Sequence, residues 1–275
     1  MTLLPTETVV LRNETDRRLG WRSLPTWVRR LSGPVILIAL WQLLSWVGIL
    51  KAQTLAPRSA VVSAGWDLTK TGVYPKDVLV SVERIIEGGF FGVLLGVALA
   101  LITGLFRIGD DTLGSTMEVL RSVPVIGLMP LVIVWFGIGE APKIAILTLG
   151  VAFPIYVNTY AGIRGVDNRL IETGRTFGLN RVGLVRRVIL PGAVPSFLTG
   201  LRVGLVAAVL YLVYVEQINA SSGIGYLMNQ ATTWNETNII VLCLATYGIL
   251  GLLADALVRL LERRLLVWRR SFSGT

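Results

Sequence analysis

Residues 171–195 read IETGRTFGLNRVGLVRRVILPGAVP. They lie between two apolar runs, 143–163 and 192–215, and reach four residues into the second. Each run is long enough to cross the hydrocarbon core of a bilayer, which needs about 20 residues at a rise of 1.5 Å per residue. A plain connection between two helices needs only a few residues, whereas this one extends over 164–191. The segment therefore indicates a membrane protein with a helical structure inserted between two spans.

Composition supports this class of protein. The chain is 53% hydrophobic and 16% charged, with a mean hydropathy of +0.67, which describes a protein poorly suited to water. Six apolar runs have spanning length: 34–50, 88–105, 122–139, 143–163, 192–215 and 238–258. The fold class predicted is an all-α polytopic membrane protein with six transmembrane helices. Prolines within the third and fourth runs predict kinks there.

Basic residues predict the orientation, because lysine and arginine near span ends are retained on the cytoplasmic side. Arginines are concentrated before the first run, within 164–191 and after the sixth run. We therefore expect a cytoplasmic segment 1–33 with an interfacial helix around Leu24–Leu31, a membrane domain 34–258, and a cytoplasmic tail 259–275. The connection 51–87 fits this rule least well, and we expect its part 57–72 to form an external surface helix.

The segment between the fourth and fifth runs predicts two short helices joined by a turn. Gly178 permits the sharp turn, Glu172 is expected in a first helical turn, and Pro191 is expected to end the second helix and tilt the chain into the fifth span. By composition alone, an amphipathic hairpin resting on lipid headgroups explains this pattern equally well.

The spacing of three features favours a docking role. Glu172, Gly178 six residues later, and Val188-Ile189-Leu190-Pro191 resemble the EAA loop of binding-protein-dependent ABC importer permeases, whose pattern is EAA, three residues, G, nine residues, I-x-L-P. Thr173 and Gly174 replace the two alanines, and Val188 replaces the isoleucine. These replacements are conservative in size.

The resemblance continues from Trp41 through the last run. The stretches RSVPVIGLMPLVIVWFGIGEAPKI (121–144), LPGAVPSFLTGLRVGL (190–205) and SSGIGYLM (221–228) are similar to the nitrate, sulfonate and taurine permease group. This resemblance implies a type I ABC importer permease of the bacterial inner membrane that works as a homodimer. The partners implied are two cytoplasmic ATP-binding subunits, which would hold ATP and Mg, and a periplasmic or lipid-anchored solute-binding protein.

The same resemblance implies aliphatic sulfonates as solutes, with taurine, nitrate or another small solute as alternatives. It also implies that the hairpin is a coupling helix that inserts into the ATPase. The residues implied in that contact are Leu170, Ile171, Glu172, Gly174, Arg175, Phe177, Gly178, Leu179, Val188, Leu190 and Pro191.

Polar groups inside spans are costly, which makes them candidates for a translocation path. The candidates are Tyr156, Asn158, Arg202, Tyr211, Tyr214 and Glu216. Each has a plainer alternative. Arg202 is expected either to snorkel to the cytoplasmic boundary or to contact the solute, and the tyrosines and Asn158 suit helix packing equally well. Asp255 is expected to pair with Arg259 one turn later.

Other classes of protein fit the sequence less well. The chain has no histidine, its acids lie near span ends, and no metal-ligand cluster or nucleophile–base pair is present. These features disfavour an ATP-independent secondary transporter or channel, and they disfavour an enzyme. A P-loop needs glycine before its lysine, but Thr69 precedes Lys70, so no ATP site or other cofactor is expected in this chain. The net charge of +9 is explained by membrane topology and anionic lipid rather than by nucleic acid.

Overall fold

A computed structural model describes residues 26–46 and 56–266 of the protein, and its regular elements there are all helical. The chain divides into two compact units, residues 1–54 and 55–275. The first unit contributes helix α1, Thr26–Trp46. This helix joins the end of the predicted interfacial helix to the first apolar run, while the remaining residues of both, 24–25 and 47–50, lie outside the described ranges.

The second unit contains the other helices. They are α2 Arg58–Lys70, α3 Val73–Leu105, α4 Arg107–Gly109, α5 Ser115–Ser122, α6 Met129–Phe136, α7 Glu140–Arg164, α8 Asn168–Thr176, α9 Arg181–Leu184, α10 Leu190–Asn219, α11 Ile224–Thr233 and α12 Thr237–Leu265. Two π-helical turns, Asp110–Gly114 and Val185–Ile189, join α4 to α5 and α9 to α10, and a 3₁₀ turn, Val125–Leu128, precedes α6. Helix α2 matches the surface helix predicted at 57–72.

Four helices of the described part are long and apolar enough to cross a membrane: Val73–Leu105, Glu140–Arg164, the continuous helix Arg181–Ile218, and Thr237–Leu265. A fifth span results if the bent pair Asp110–Ser122 and Val125–Phe136 counts as one. These segments coincide with the second to sixth predicted runs. For α1, the prediction of a sixth span stays a prediction.

Close packing of α3 against α7 depends on glycine. A Cβ atom added at Gly88 would lie 2.4 Å from Cβ of Leu147, and one added at Gly92 would lie 2.5 Å from Cβ of Val151. Further along, Gly104 faces Ile163 in the same way. The residue numbers of the contacting pairs increase in the same direction along both helices, so α3 and α7 run parallel. The helices are so close that larger side chains would not fit between them.

Helices α7 and α10 pack antiparallel. Gly150 of α7 contacts the ring of Tyr211, whereas Ser196, near the start of α10, contacts Gly162. The segment 165–189 therefore lies at one end of the bundle, which we call the hairpin end. The start of α7 and the end of α10 lie at the opposite end, which we call the far end.

The chain breaks at the start of the third predicted run, 122–139, where a kink was predicted within the run. Helix α5 ends at Ser122, and the chain turns by 90° before the segment that begins at Val125. Pro124 explains the break, because proline disfavours helical backbone in the residue before it, and Val123 is extended with φ −78° and ψ 126°. Pro130 causes no kink because it lies in the first turn of α6, where proline is tolerated.

Candidate coupling and translocation sites

The hairpin consists of α8, a turn and α9. The Asp167 carboxylate caps α8 by accepting from the Arg169 amide at 2.9 Å, and the Asn180 side chain caps α9 by accepting from the Gly183 amide at 2.8 Å. Gly178 adopts a φ of +79°, as expected for the turn. Glu172 lies in the second turn of α8, not the first, because the helix already begins at Asn168.

Only part of the predicted apolar face of α8 packs within the chain. Gly174 is buried, and a Cβ atom there would approach Cδ2 of Leu184 to 2.7 Å, so a small residue is needed where α8 crosses α9. In contrast, Leu170 is 57% exposed and Phe177 is 83% exposed. The hairpin therefore presents large apolar side chains away from its own chain, and Val182 of α9 adds a third.

The connection from α9 to α10 differs from the prediction. Pro191 does not end a helix or tilt the chain, since Arg181–Ile218 is continuous. The π-helical turn Val185–Ile189 connects α9 to α10, and Pro191 lies in the first turn of α10. The proline nitrogen carries no proton to donate. This is least unfavourable at the start of a helix, because the first amide groups have no hydrogen-bond acceptor within the helix. Helix α9 of the hairpin is consequently continuous with α10, and α8 packs against α9 across the turn.

The remaining residues of the predicted docking set surround the point where α8 crosses α9. Leu170, Gly174, Val188 and Pro191 line one groove with Arg187. Ile171, Leu179 and Leu190 are half-buried, whereas Glu172 and Arg175 are exposed. The structure thus brings the predicted set together in one small subdomain. Its contact with a partner stays a prediction.

A buried polar cluster occupies the far end. The Arg84 guanidinium, 3% exposed, donates to Oε1 of Glu216 at 2.7 Å and to both carboxylate oxygens of Glu140 at 2.7 and 2.8 Å. The Lys143 ammonium donates to Glu140 at 2.8 Å. Ion pairs satisfied in this way are stable inside a membrane protein, where single charges are not.

Glu216, a predicted path residue, is the centre of this cluster. Its carboxylate is 1% exposed and accepts from the Ser81 hydroxyl, the Gly225 amide and the Tyr247 hydroxyl in addition to Arg84. The Asp77 carboxylate accepts from the Gly223 amide. The cluster therefore holds the turn 221–225 against α3, and Glu216 is fully engaged within the chain.

Sequence reasoning missed the other members of this cluster. The region 51–87 was interpreted as a connection because of its charges, but α3 begins at Val73 and carries Asp77 and Arg84 as buried residues. The poor agreement of this region with the charge rule was the available signal. A buried arginine that is neutralised by carboxylates of its own chain carries no information about membrane orientation.

Arg202 is also paired. Its Nη2 atom lies 2.5 Å from Oε2 of Glu262, and its Nε atom lies 3.2 Å from Oδ1 of Asp255. Asp255 pairs with Arg259 as well, which confirms the predicted contact. Only the contact with Glu262 is a hydrogen bond, whereas that with Asp255 is an ion pair. Both contacts join α10 to α12 near the hairpin end, so the charge of Arg202 is balanced by protein carboxylates.

The other predicted path residues lie on α7 and α10. The Asn158 amide donates to the Pro154 carbonyl at 2.8 Å, and Tyr211 packs on Gly150. Tyr156 is buried and stacks on Tyr160 at a centroid distance of 6.0 Å, whereas Tyr214 is 37% exposed on α10. The structure does not gather these residues into one site, and their role in a path stays a prediction.

Among the described residues there is no group of acids, histidines or cysteines able to hold a metal.

The helical bundle has a known counterpart. A crystal structure of an amino acid ABC transporter superposes with a TM-score of 0.60 at 20% sequence identity, over 72% of this chain and 96% of that one. The bundle, the broken span and the hairpin between two spans thus define an ABC importer permease fold.

Sequence comparison then gives the family. The family model described as binding-protein-dependent transport system inner membrane component matches residues 92–267. The chain is 42% identical to the putative aliphatic sulfonates transport permease protein SsuC of Escherichia coli K12, over 87% of this chain and 91% of that protein. It is 35% identical to the putative aliphatic sulfonates transport permease protein SsuC of Bacillus subtilis 168, over 95% of each. The chain belongs to the family of binding-protein-dependent transport system inner membrane components.

Proposed function

We propose that the chain is the permease subunit of an ATP-driven importer of aliphatic sulfonates. The observation that carries this proposal is the hairpin, which exposes Leu170 and Phe177 and is fused to the spanning helix α10. Large exposed apolar side chains on a rigid element are characteristic of a protein interface. The names of the relatives supply the solute class, with taurine, nitrate or another small solute as alternatives.

The partner at the hairpin is proposed to be a cytoplasmic ATPase subunit, which binds ATP and Mg. Phe177 and Leu170 would fill an apolar groove of the ATPase, and the exposed Arg175 would meet acidic groups at its rim. Movement of the ATPase would then act on α10, because α8 packs on α9 and α9 is continuous with that helix.

The remaining assembly follows from the same role. Two permease copies would enclose the path, each with one ATPase, while a periplasmic or lipid-anchored binding protein would deliver the solute at the far end. The hairpin end is accordingly proposed to be cytoplasmic, together with both termini, and the protein would contact the lipids of the bacterial inner membrane. The permease itself would carry no catalytic site.

The substitution Phe177→Glu tests this role. It places a charge where an apolar anchor is proposed, so co-purification of the ATPase and ATP-dependent uptake should both fall by about tenfold or more, the typical effect of losing an interface hot spot. The fold of the permease should be unaffected, since Phe177 makes few contacts within the chain.

The matched control is Trp234→Glu. Trp234 is 76% exposed, similar to Phe177, but lies beyond α11 at the far end. This variant should retain the ATPase. Equal ATPase recovery for Phe177→Glu and the wild type would contradict the docking role.

A further inference from the structure

A polar cavity of about 390 Å³ lies between the segment Asp110–Arg121 and α7. The π-helical turn and α5 form one wall, and the stacked rings of Tyr156 and Tyr160 form the other. Asp111, Ser115 and Arg121 also line it. The cavity is adjacent to the helix break that follows Ser122.

If the bent pair Asp110–Ser122 and Val125–Phe136 is one span, the break lies at membrane depth and this side of the bundle faces water or protein rather than lipid. Residues 121–124 are all exposed within the chain, and non-helical backbone is tolerated at membrane depth only where it is covered by protein or lines an aqueous cavity. Interrupted helices of this kind line the solute sites of many transporters. The cavity is therefore placed where a solute path can reach it.

Among the described residues that line this cavity, Arg121 is the cation, and several other cations of the chain are already paired. Arg164 pairs with Asp110 at 2.9 Å, and Arg202 is bound by two carboxylates of α12. Arg84 and Lys143 are engaged in the far-end cluster. Within residues 56–266, in contrast, Arg121 lines the cavity without an ion pair or a side-chain hydrogen bond.

The cavity wall opposite is fixed by its own bonds. The Tyr160 hydroxyl donates to Oδ1 of Asp110 at 2.7 Å, and Arg164 binds the other oxygen of the same carboxylate. The Asp110 charge is thereby balanced without Arg121. A guanidinium that is left available beside two aromatic rings suits a compact oxyanion with a short apolar tail, because its planar fork binds the oxyanion and the rings contact the tail.

We propose that Arg121 binds the anionic group of the solute in this cavity and is a specificity-determining residue of the path. The inference uses the proposed function for the class of solute, an alkanesulfonate. It assigns the contact to Arg121 rather than to Arg202, whose guanidinium is already bound by Asp255 and Glu262.

A labelling experiment tests the cavity without requiring transport. Ser115→Cys places a thiol on the cavity wall, and the assembled complex is treated with two methanethiosulfonates, one bearing a sulfonate and the other a trimethylammonium group. Rates are normalised to those of a free thiol. The chain without this substitution is the blank, because its one cysteine, Cys243, is fully buried.

Because Asp111 also lines the cavity, the informative quantity is the change in the ratio of the sulfonate rate to the trimethylammonium rate. Adding Arg121→Gln should lower this ratio by about tenfold, the order expected for removal of one charge a few ångströms away in a partly hydrated site. Arg107→Gln is the matched control, since Arg107 is an exposed arginine at the start of the same segment and does not line the cavity. It should leave the ratio unchanged.

Two results would overturn the proposal: a ratio unaffected by Arg121→Gln, or a Ser115→Cys thiol that neither reagent reaches.

Uptake provides the second readout. Arg121→Lys keeps the charge but loses the fork, so it should raise the alkanesulfonate concentration for half-maximal uptake severalfold, whereas Arg107→Lys should not. A complex that fails to import sulfonates but shows the expected labelling ratio would contradict the proposed function and leave the anion site intact.

Discussion

Removal of the Glu216 charge should destabilise the protein more than any surface charge substitution. In Glu216→Gln the side chain keeps its shape, but the Arg84 guanidinium loses the carboxylate at 2.7 Å and remains 97% buried with only Glu140 as a counter-ion. Breaking a buried pair by removing one partner typically costs about 3–5 kcal/mol, because the other charge is left poorly compensated. Three further donors to Glu216, from Ser81, Gly225 and Tyr247, are weakened as well.

The assay is thermal unfolding of the purified permease in detergent, with Asp255→Asn as the control. Asp255 also forms ion pairs, but those with Arg259 and Arg202 involve partners that are 52% and 38% exposed, and exposed pairs contribute about 0–1 kcal/mol. At roughly 2–4 °C per kcal/mol, Glu216→Gln should lower Tm by about 10 °C and the control by less than about 4 °C.

A double-mutant cycle isolates the pair. Arg84→Met alone should be as harmful as Glu216→Gln, while the double variant should be less destabilised than the sum by about 2–3 kcal/mol, since neither charge is then left without its partner. Additive effects, or a Glu216→Gln protein as stable as the Asp255→Asn control, would refute the argument that this pair holds the far end together.

Four other predictions concern single substitutions. Gly223→Ala should lower Tm by several degrees in the same assay, since a Cβ atom there would lie 2.5 Å from Oε1 of Glu216 at a φ of +112°. Gly92→Leu should prevent recovery of folded protein, because α3 and α7 leave no room for a side chain, whereas Gly248→Leu, with open space at its Cβ position, should be tolerated. Arg202→Lys should reduce uptake of two sulfonates of different size by the same factor; a change in their ratio would return Arg202 to the list of solute contacts. Asn180→Cys should stay unmodified by an impermeant thiol reagent in sealed cells, and labelling there would contradict a cytoplasmic hairpin.

Local patterns in the sequence were sufficient for much of the fold. The runs 143–163, 192–215 and 238–258 coincide with α7, α10 and α12, since a bilayer-length apolar run leaves few alternatives to a helix. The turn at Gly178 was predictable for a similar reason, because few other residues tolerate its φ. These features depend on neighbouring residues only.

Features that depend on distant residues were not predictable. Arg84 and Glu216 are separated by 132 positions, so neither reveals that the other will neutralise it, and Arg84 consequently resembled a loop residue. The same is true of Arg202, whose partner Glu262 is 60 positions away. The break at Ser122–Pro124 was read as a kink, because the sequence shows the proline but not whether neighbouring helices support a continuous span.

The most direct test of the account is uptake of a radiolabelled alkanesulfonate by proteoliposomes that contain the permease, its ATPase and its binding protein. We expect accumulation against the gradient only when ATP is present on the ATPase side, and loss of that accumulation in Phe177→Glu with the permease still folded. Solute flux through liposomes that contain this chain alone, driven by the concentration gradient and indifferent to ATP, would contradict the claim that the hairpin couples transport to an ATPase.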